Sequence, residues 1–418
     1  MTTSPRSPVG SAGPPGSAAL KALYLSAFLR STSAGLAGIL LGLHLSRQGF
    51  TPSIIGLVVS AGFTGAAVGA AFAMFRADRV GRRLSLVGIA VVSAAGLAAA
   101  ATFSSAPVVM AVAFFGMVNG MGRDRGAALL LEQTAITDGA TASTRTRAFA
   151  LYSFAQDLGH GIGSLLAALT PSLATPSDAS GTRGGLFVAS ALIAAAAVCY
   201  AFIAPGVQGS NEPRKLSAAS RAILTRVSFL FALDSLGGGF LSSAWISIFF
   251  YERFGMGEAV LGPLFFLARV ANAVSHLAAA WLARRIGLVN TMVFTHLPSS
   301  LLLLTVAFAP SFPIAAVLFL LREGLVEMDV PTRQSYVMAV VDPADRTLAA
   351  GVTQLVRMAG WAMGPALAGW TVERSSIAAP VILGAALKIA YDIALYRSFI
   401  ALRPPEERSD EFAKIQDD

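Results

Sequence analysis

The sequence predicts an all-α membrane protein with 12 transmembrane helices in two pseudo-symmetric six-helix bundles. Three observations predict it: a shortage of charge, apolar runs of membrane-crossing length from end to end, and a polar interruption at the middle. Of the 418 residues, 55% are hydrophobic and 13% charged, and the mean hydropathy is +0.66. A soluble domain carries roughly 25% charged residues, so about half the expected charge is missing. That excludes a soluble enzyme and requires a lipid surrounding.

The elements follow in order. Met1–Ala18 is rich in Pro, Ser, Gly and Ala and lacks an apolar core, so it is expected to be a disordered cytoplasmic tail and not a cleaved signal peptide. A helix needs about 20 apolar residues to cross the hydrocarbon layer. Such runs fall at 22–45, 53–75, 84–104, 107–131, 148–170 and 185–205, and again at 222–250, 258–282, 288–309, 312–332, 348–370 and 377–400. The expected organisation is a first bundle over 19–205, a polar cytoplasmic linker over 206–220 with Glu212, Arg214 and Lys215, a second bundle over 221–403 and a tail over 404–418.

The net charge of +8 is read from where the basic residues sit. Arg76, Arg79, Arg82, Arg83, Arg145, Arg147, Arg214, Lys215, Arg284, Arg285, Arg346 and Arg397 fall in loops on one face, whereas the other face keeps Arg47, Arg183, Arg253 and Arg374. The positive-inside rule then places both termini in the cytoplasm and the chain in the plasma membrane. Basic loops along one face form no recognition module, so no nucleic-acid partner is expected. The single cysteine, Cys199, can make neither an internal disulfide nor a thiolate metal cage. No Gly-Lys dipeptide, H-E-x-x-H or G-x-S-x-G occurs, so ATP hydrolysis, metalloprotease and serine hydrolase chemistry are disfavoured, and neither cofactor nor enzymatic activity is expected.

The halves repeat. A shift of 206 residues lays Arg47 on Arg253, Gly49 on Gly255, Gly56 on Gly262 and Gly81 on Gly287; a shift of 201 lays Gln133 on Gln334, Arg145 on Arg346, Gly159 on Gly360 and Gly163 on Gly364. Blocks at constant offset in equivalent helices point to a duplicated six-helix unit.

The loop after the second run reads Arg76-Ala77-Asp78-Arg79-Val80-Gly81-Arg82-Arg83. This D-R-x-G-R-R sequence resembles the signature cytoplasmic loop of the major facilitator superfamily of secondary transporters. The resemblance implies two bundles rocking about a central cavity lined by helices 1, 4, 7 and 10. It also implies a cytoplasmic latch made by Asp78, Arg79, Gly81, Arg82 and Arg83. Physically, an acidic side chain at Asp78 suits the N-terminus of a facing helix, and Gly81 permits a tight turn. The second-half loop has Arg284 where the Asp would stand, so the latch is one-sided. Where the superfamily's helix 5 motif has Pro, this chain has His160, in Gly159-His160-Gly161-Ile162-Gly163.

Ionisable residues inside the membrane each cost about 2.5–3.5 kcal/mol on insertion scales and usually face a cavity or a partner. The predicted spans hold Arg30, Arg123, Asp124, Arg125, Glu132, Asp157, Asp234, Arg269, Arg322, Glu323, Glu327, Asp329, Arg333, Arg357, Lys388 and Asp392. Arg30 and Asp234 lie near the middle of helices 1 and 7, as substrate or coupling contacts. Arg123, Asp124 and Arg125 are consecutive on helix 4, so at least one is expected to meet a neighbouring helix. Glu323 and Glu327, four apart, share a face of helix 10 at the depth of Arg357, so a structural pair or a proton-titrating carboxylate is expected there. Asp157 and Arg269 are expected to form a gating pair at the bundle interface, and His160 is the histidine best placed for proton relay. His44, His276 and His296 offer no readable role.

The expected function is secondary active transport of a small solute by alternating access, coupled to an ion gradient with the proton among the candidate ions. The mid-membrane arginines favour a small organic anion. The alternatives are a proton-coupled multidrug efflux antiporter and a non-transporting receptor or scaffold of the same fold. A monomer is expected.

Overall fold

In lipid every backbone N–H and C=O must be paired within the protein, so apolar runs of this length fold as helices. The computed structural model describes residues 17–123, 126–139, 145–170, 180–203, 218–330, 332–333, 336, 341–342 and 345–399. The first half runs α1 (Ser17–Arg47), α2 (Pro52–Val80), α3 (Arg82–Thr102), α4 (Ala106–Gly116), α5 (Ala127–Gly139), α6 (Arg145–Ala167) and α7 (Ser180–Tyr200). The second runs α8 (Ala218–Phe240), α9 (Ser243–Phe254), α10 (Glu258–Ile286), α11 (Leu288–Ala307), α12 (Phe312–Val326), α13 (Arg346–Arg374) and α14 (Ala379–Phe399). Eight helices, with α8 and α9 taken together, are long and apolar enough to cross a membrane. The expected tails at 1–18 and 404–418 and the linker at 206–220 lie largely outside the described residues.

The fourth crossing corrects the sequence reading. The span expected at 107–131 is split into α4 and α5, because residues 117–123 leave the helix. Met117, Gly120 and Gly122 take left-handed backbone angles, with φ of 57°, 61° and 72°. The Asn119 side chain bridges the bend, donating to Met117 O at 3.2 Å and accepting from Met121 N–H at 3.1 Å. The seventh crossing is broken as well, at Leu241 and Ser242, where the Ser242 hydroxyl caps α9 through Trp245 N–H. The tenth leaves its helix at Val326, so Glu327 stands as its C-cap and not within a continuous span to 332.

The duplication is visible in the backbone. Gly49 and Gly255, 206 positions apart, end equivalent helices with φ of 81° and 69°; Gly81 and Gly287 start equivalent helices with φ of 94° and 86°. Gly159 and Gly163 press against the Phe28 and Thr32 carbonyls of α1, as Gly360 and Gly364 press against those of Ala232 and Leu236 on α8. A Cβ at any of these four would lie within 2.8 Å of a carbonyl oxygen, so small residues here set the helix spacing.

Between the halves, α2 packs on α13, α6 on α10 and α1 on α9. The polar contacts run from the middle of the bundle to the end carrying the α1–α2 connection. There Arg47 pairs with Glu258, Ser46 Oγ donates to Glu252 at 3.4 Å, and Ser53 N–H donates to Glu373 at 2.9 Å. Deeper, Ala366 N–H donates to Ser60 Oγ at 2.9 Å. Phe250 packs edge-on to Phe249, Phe312 and Phe319 beneath this end. The molecule is closed at the α1–α2 end.

Candidate functional site

The breaks in helices 4 and 7 meet at mid-bundle. Ala244 N–H, in the first turn of α9, donates to Gly120 O at 3.0 Å, and Ser243 Oγ donates to Met121 O at 2.9 Å. Each half thereby satisfies backbone groups that the other leaves open. Below this seam lies a cavity of about 110 Å³. Arg123, Arg269, Arg322, Arg333, Arg357 and Lys388 line it, against Asp234, Glu323, Glu327 and Asp329. Among the described residues, six cations face four carboxylates, an excess of two positive charges on the wall.

Three polar groupings account for most of these residues. Within the first half, Arg30 of α1 pairs with Glu132 of α5, and the carboxylate also accepts from the Tyr152 hydroxyl at 2.6 Å and from Tyr200. Glu132 is wholly buried. Arg30 is therefore engaged in an internal pair, on the wall of a second space of about 100 Å³ beside the helix 4 break. Across the cavity, Arg123 reaches from the break to Glu327 at 2.8 Å and to Asn272 of α10. Asn272 in turn donates to Glu323, to its backbone O at 2.7 Å and its carboxylate at 2.9 Å. Glu323 also pairs with Arg322.

The third grouping lies deep in the second half. Asp234 of α8 accepts from Lys388 of α14 at 2.7 Å and from Arg333 at 3.2 Å; Arg333 also holds Asp329 at 2.7 Å. His296 of α11 contacts Asp392 through Nδ1 at 2.8 and 3.0 Å, while its Nε2 faces Lys388 Nζ at 3.5 Å and Asp234 Oδ1 at 3.8 Å.

Several expected pairings are thereby corrected. Neither Glu323 nor Glu327 pairs with Arg357, because the end of α12 at Val326 turns Glu327 toward Arg123. Arg357 instead donates to Ser235 Oγ at 3.4 Å and lies over the Trp361 ring, 4.8 Å from its centre. In this state Asp157 makes no ion pair with Arg269 among the described residues; Arg269 donates to Asn272 at 3.3 Å. His160 is buried where α6 meets Gly35 of α1, away from the cavity lining. Of the expected latch, Gly81 makes the turn and Arg82 is buried, while the Asp78 and Arg79 side chains lie outside the described residues. Asp124 and Arg125 also lie outside them.

The sequence matches the Major Facilitator Superfamily over residues 23–328. The chain belongs to that superfamily. A membrane protein of Saccharomyces cerevisiae, YJR124C, is 24% identical to this superfamily member over 92% of this chain and 94% of its own length. Among solved structures, the nucleoside transporter NupG superposes with a TM-score of 0.73 at 15% identity, covering 91% of this chain and 98% of its own. The xylose transporter XylE of E. coli gives 0.71 at 13% identity, with 95% and 99% covered. The human organic anion transporter MFSD10 gives 0.60 at 18% identity, with 90% and 99% covered. At these identities the likeness is one of fold, so this superfamily member is a multi-pass membrane protein built as a transporter, and its cargo is read from its own cavity.

Two residues of that cavity stand apart. Arg269 and Arg357 line it, and neither has a carboxylate within ion-pair distance among the described residues. Asn272 is a site residue that the sequence reading passed over, and His296, Asp392 and Lys388 are site residues to which it gave no specific role. Asn272 carries no charge, and the other three sit on helices outside the expected cavity-lining set.

Proposed function

We propose that the protein is a secondary active transporter carrying a small organic anion across the plasma membrane by alternating access, coupled to an ion gradient, with both termini in the cytoplasm. The observation that carries this reading is the pair Arg269 and Arg357, cations on the cavity wall with no carboxylate within ion-pair distance among the described residues. A desolvated guanidinium recognises carboxylate or phosphate through two parallel hydrogen bonds. Trp361, beside Arg357, supplies a flat apolar wall for the organic part. A hydrophobic cation of the kind a drug antiporter exports would enter a wall of excess positive charge.

The test is thermal stabilisation of the purified protein by citrate, benzoate and inorganic phosphate, followed by uptake of whichever stabilises it into proteoliposomes. Arg269→Gln and Arg357→Gln are each expected to weaken the apparent affinity about tenfold or more, the loss of one charge-assisted hydrogen-bonded contact. Stabilisation unchanged in both variants, or produced by hydrophobic cations alone, would overturn the anion reading. A scaffold would move no solute under any imposed gradient.

A further inference from the structure

The second-half grouping behind Asp234 is larger than anion binding needs. It brings together α8 (Asp234), α11 (His296), α14 (Lys388 and Asp392) and the segment after α12 (Asp329 and Arg333). Those groups in direct contact comprise three carboxylates against two permanent cations. One further positive charge would balance them, and the imidazole, with one ring nitrogen free to accept a proton when neutral, is the group able to take it up. The remaining elements that face the cavity contribute Arg123 of the helix 4 break, Arg269 of α10, Arg322, Glu323 and Glu327 at the end of α12 and Arg357 of α13, and Tyr391 of α14 stacks edge-on against the imidazole.

The geometry points to His296 as the proton-carrying residue of the transporter, loaded at Nε2 from the cavity and read out through the Lys388–Asp234 ion pair. This rests on the transport reading and names its coupling ion and the site. With His296 neutral, Nδ1–H donates to Asp392, and Nε2 offers its lone pair toward Lys388 Nζ, 3.5 Å away. A proton arriving at Nε2 places a second cation beside that ammonium and a second donor 3.8 Å from Asp234 Oδ1. Imidazolium and ammonium then compete for one carboxylate oxygen, which weakens the hold of Lys388 on α8. Helix α8 leads through the Leu241–Ser242 break into α9, whose first turn hydrogen-bonds the other half. The proton is thus sensed by an element that takes part in closure. His296 is 2% exposed and lines the cavity, so the cavity is the side from which a proton would reach the imidazole.

Histidine-selective ¹⁵N NMR on the full chain in nanodiscs tests the assignment without any substrate. His296→Gln identifies its signal among those of His44, His160 and His276. That signal is expected to change with pH, and its pH response to be displaced in both Asp392→Asn and Lys388→Met. In a Cys199→Ser background, spin labels on Thr51→Cys and Ala259→Cys report separation of the halves. Their distance distribution is expected to shift with pH, and His296→Gln or, if that variant fails to fold, Asp392→Asn is expected to abolish or displace the shift. A His296 signal that does not respond to pH, or a pH response retained in full by both variants, would overturn the proposal. Stabilisation by citrate or phosphate at fixed pH is a separate arm: its absence alongside a titrating His296 would fail the anion reading and leave the proton site standing.

Discussion

At the scale of single residues, the molecule turns on which charges have partners. The ionisable residues named in and beside the predicted spans are legible from sequence as costly and therefore placed for a reason, but their pairing is tertiary. Arg30 and Glu132 lie 102 positions apart, and Arg123 finds Glu327 in the other half. Asn272, the hub between Arg123, Arg269 and Glu323, is neutral, so a search for charges in the spans passes it by. The Arg30–Glu132 pair illustrates the energetic logic. Removing one member of a buried pair leaves an uncompensated charge and costs about 3–5 kcal/mol, whereas replacing both with apolar groups is often close to neutral. Glu132→Leu is therefore expected to lower the melting temperature of the detergent-solubilised protein strongly, and Arg30→Met combined with Glu132→Leu to recover most of the loss. Equal melting temperatures for the single and double variants would contradict this account.

At the scale of elements, hydropathy placed the start of every expected run within five residues of a helix start but could not see where a crossing is interrupted. Residues 107–131 are apolar enough to read as one span, and nothing local says that Met117 and two glycines take left-handed angles. The interruption holds because Asn119, Ala244 and Ser243 satisfy the exposed backbone. Gly122 is the sensitive position: its φ is 72°, and a Cβ there would lie 2.2 Å from Ser243 Oγ. The left-handed conformation alone costs a non-glycine residue about 1–2 kcal/mol, which corresponds to about a tenfold shift of a two-state equilibrium. Gly122→Ala is expected to favour separation of the halves. Modification of Ser60→Cys, buried at the α2–α13 seam, by a membrane-impermeant maleimide would then accelerate by about that factor in a Cys199→Ser background; an unchanged rate would argue that this contact is incidental to closure.

At the scale of the whole molecule, the duplicated unit was legible as glycines at fixed offsets, and the structure explains their spacing as helix contacts. With the termini in the cytoplasm, as the loop charges predict, the closed α1–α2 end is the outer one. The latch expected at Asp78 would act at the other end, where an acidic side chain suits the N-terminus of a facing helix. Asp78→Asn is accordingly expected to slow anion exchange in proteoliposomes while leaving the melting temperature unchanged, and an unaltered exchange rate would remove the latch from the cycle.

The hydrogen bond from Ala244 to the Gly120 carbonyl also has a consequence for turnover. Two backbone dipoles that satisfy one another across a lipid-shielded junction must each find a replacement when the lobes part, and water is the nearest one. Hydration of that junction thus becomes a step on the route between the two faces, and its speed belongs among the factors that limit how fast the carrier can cycle.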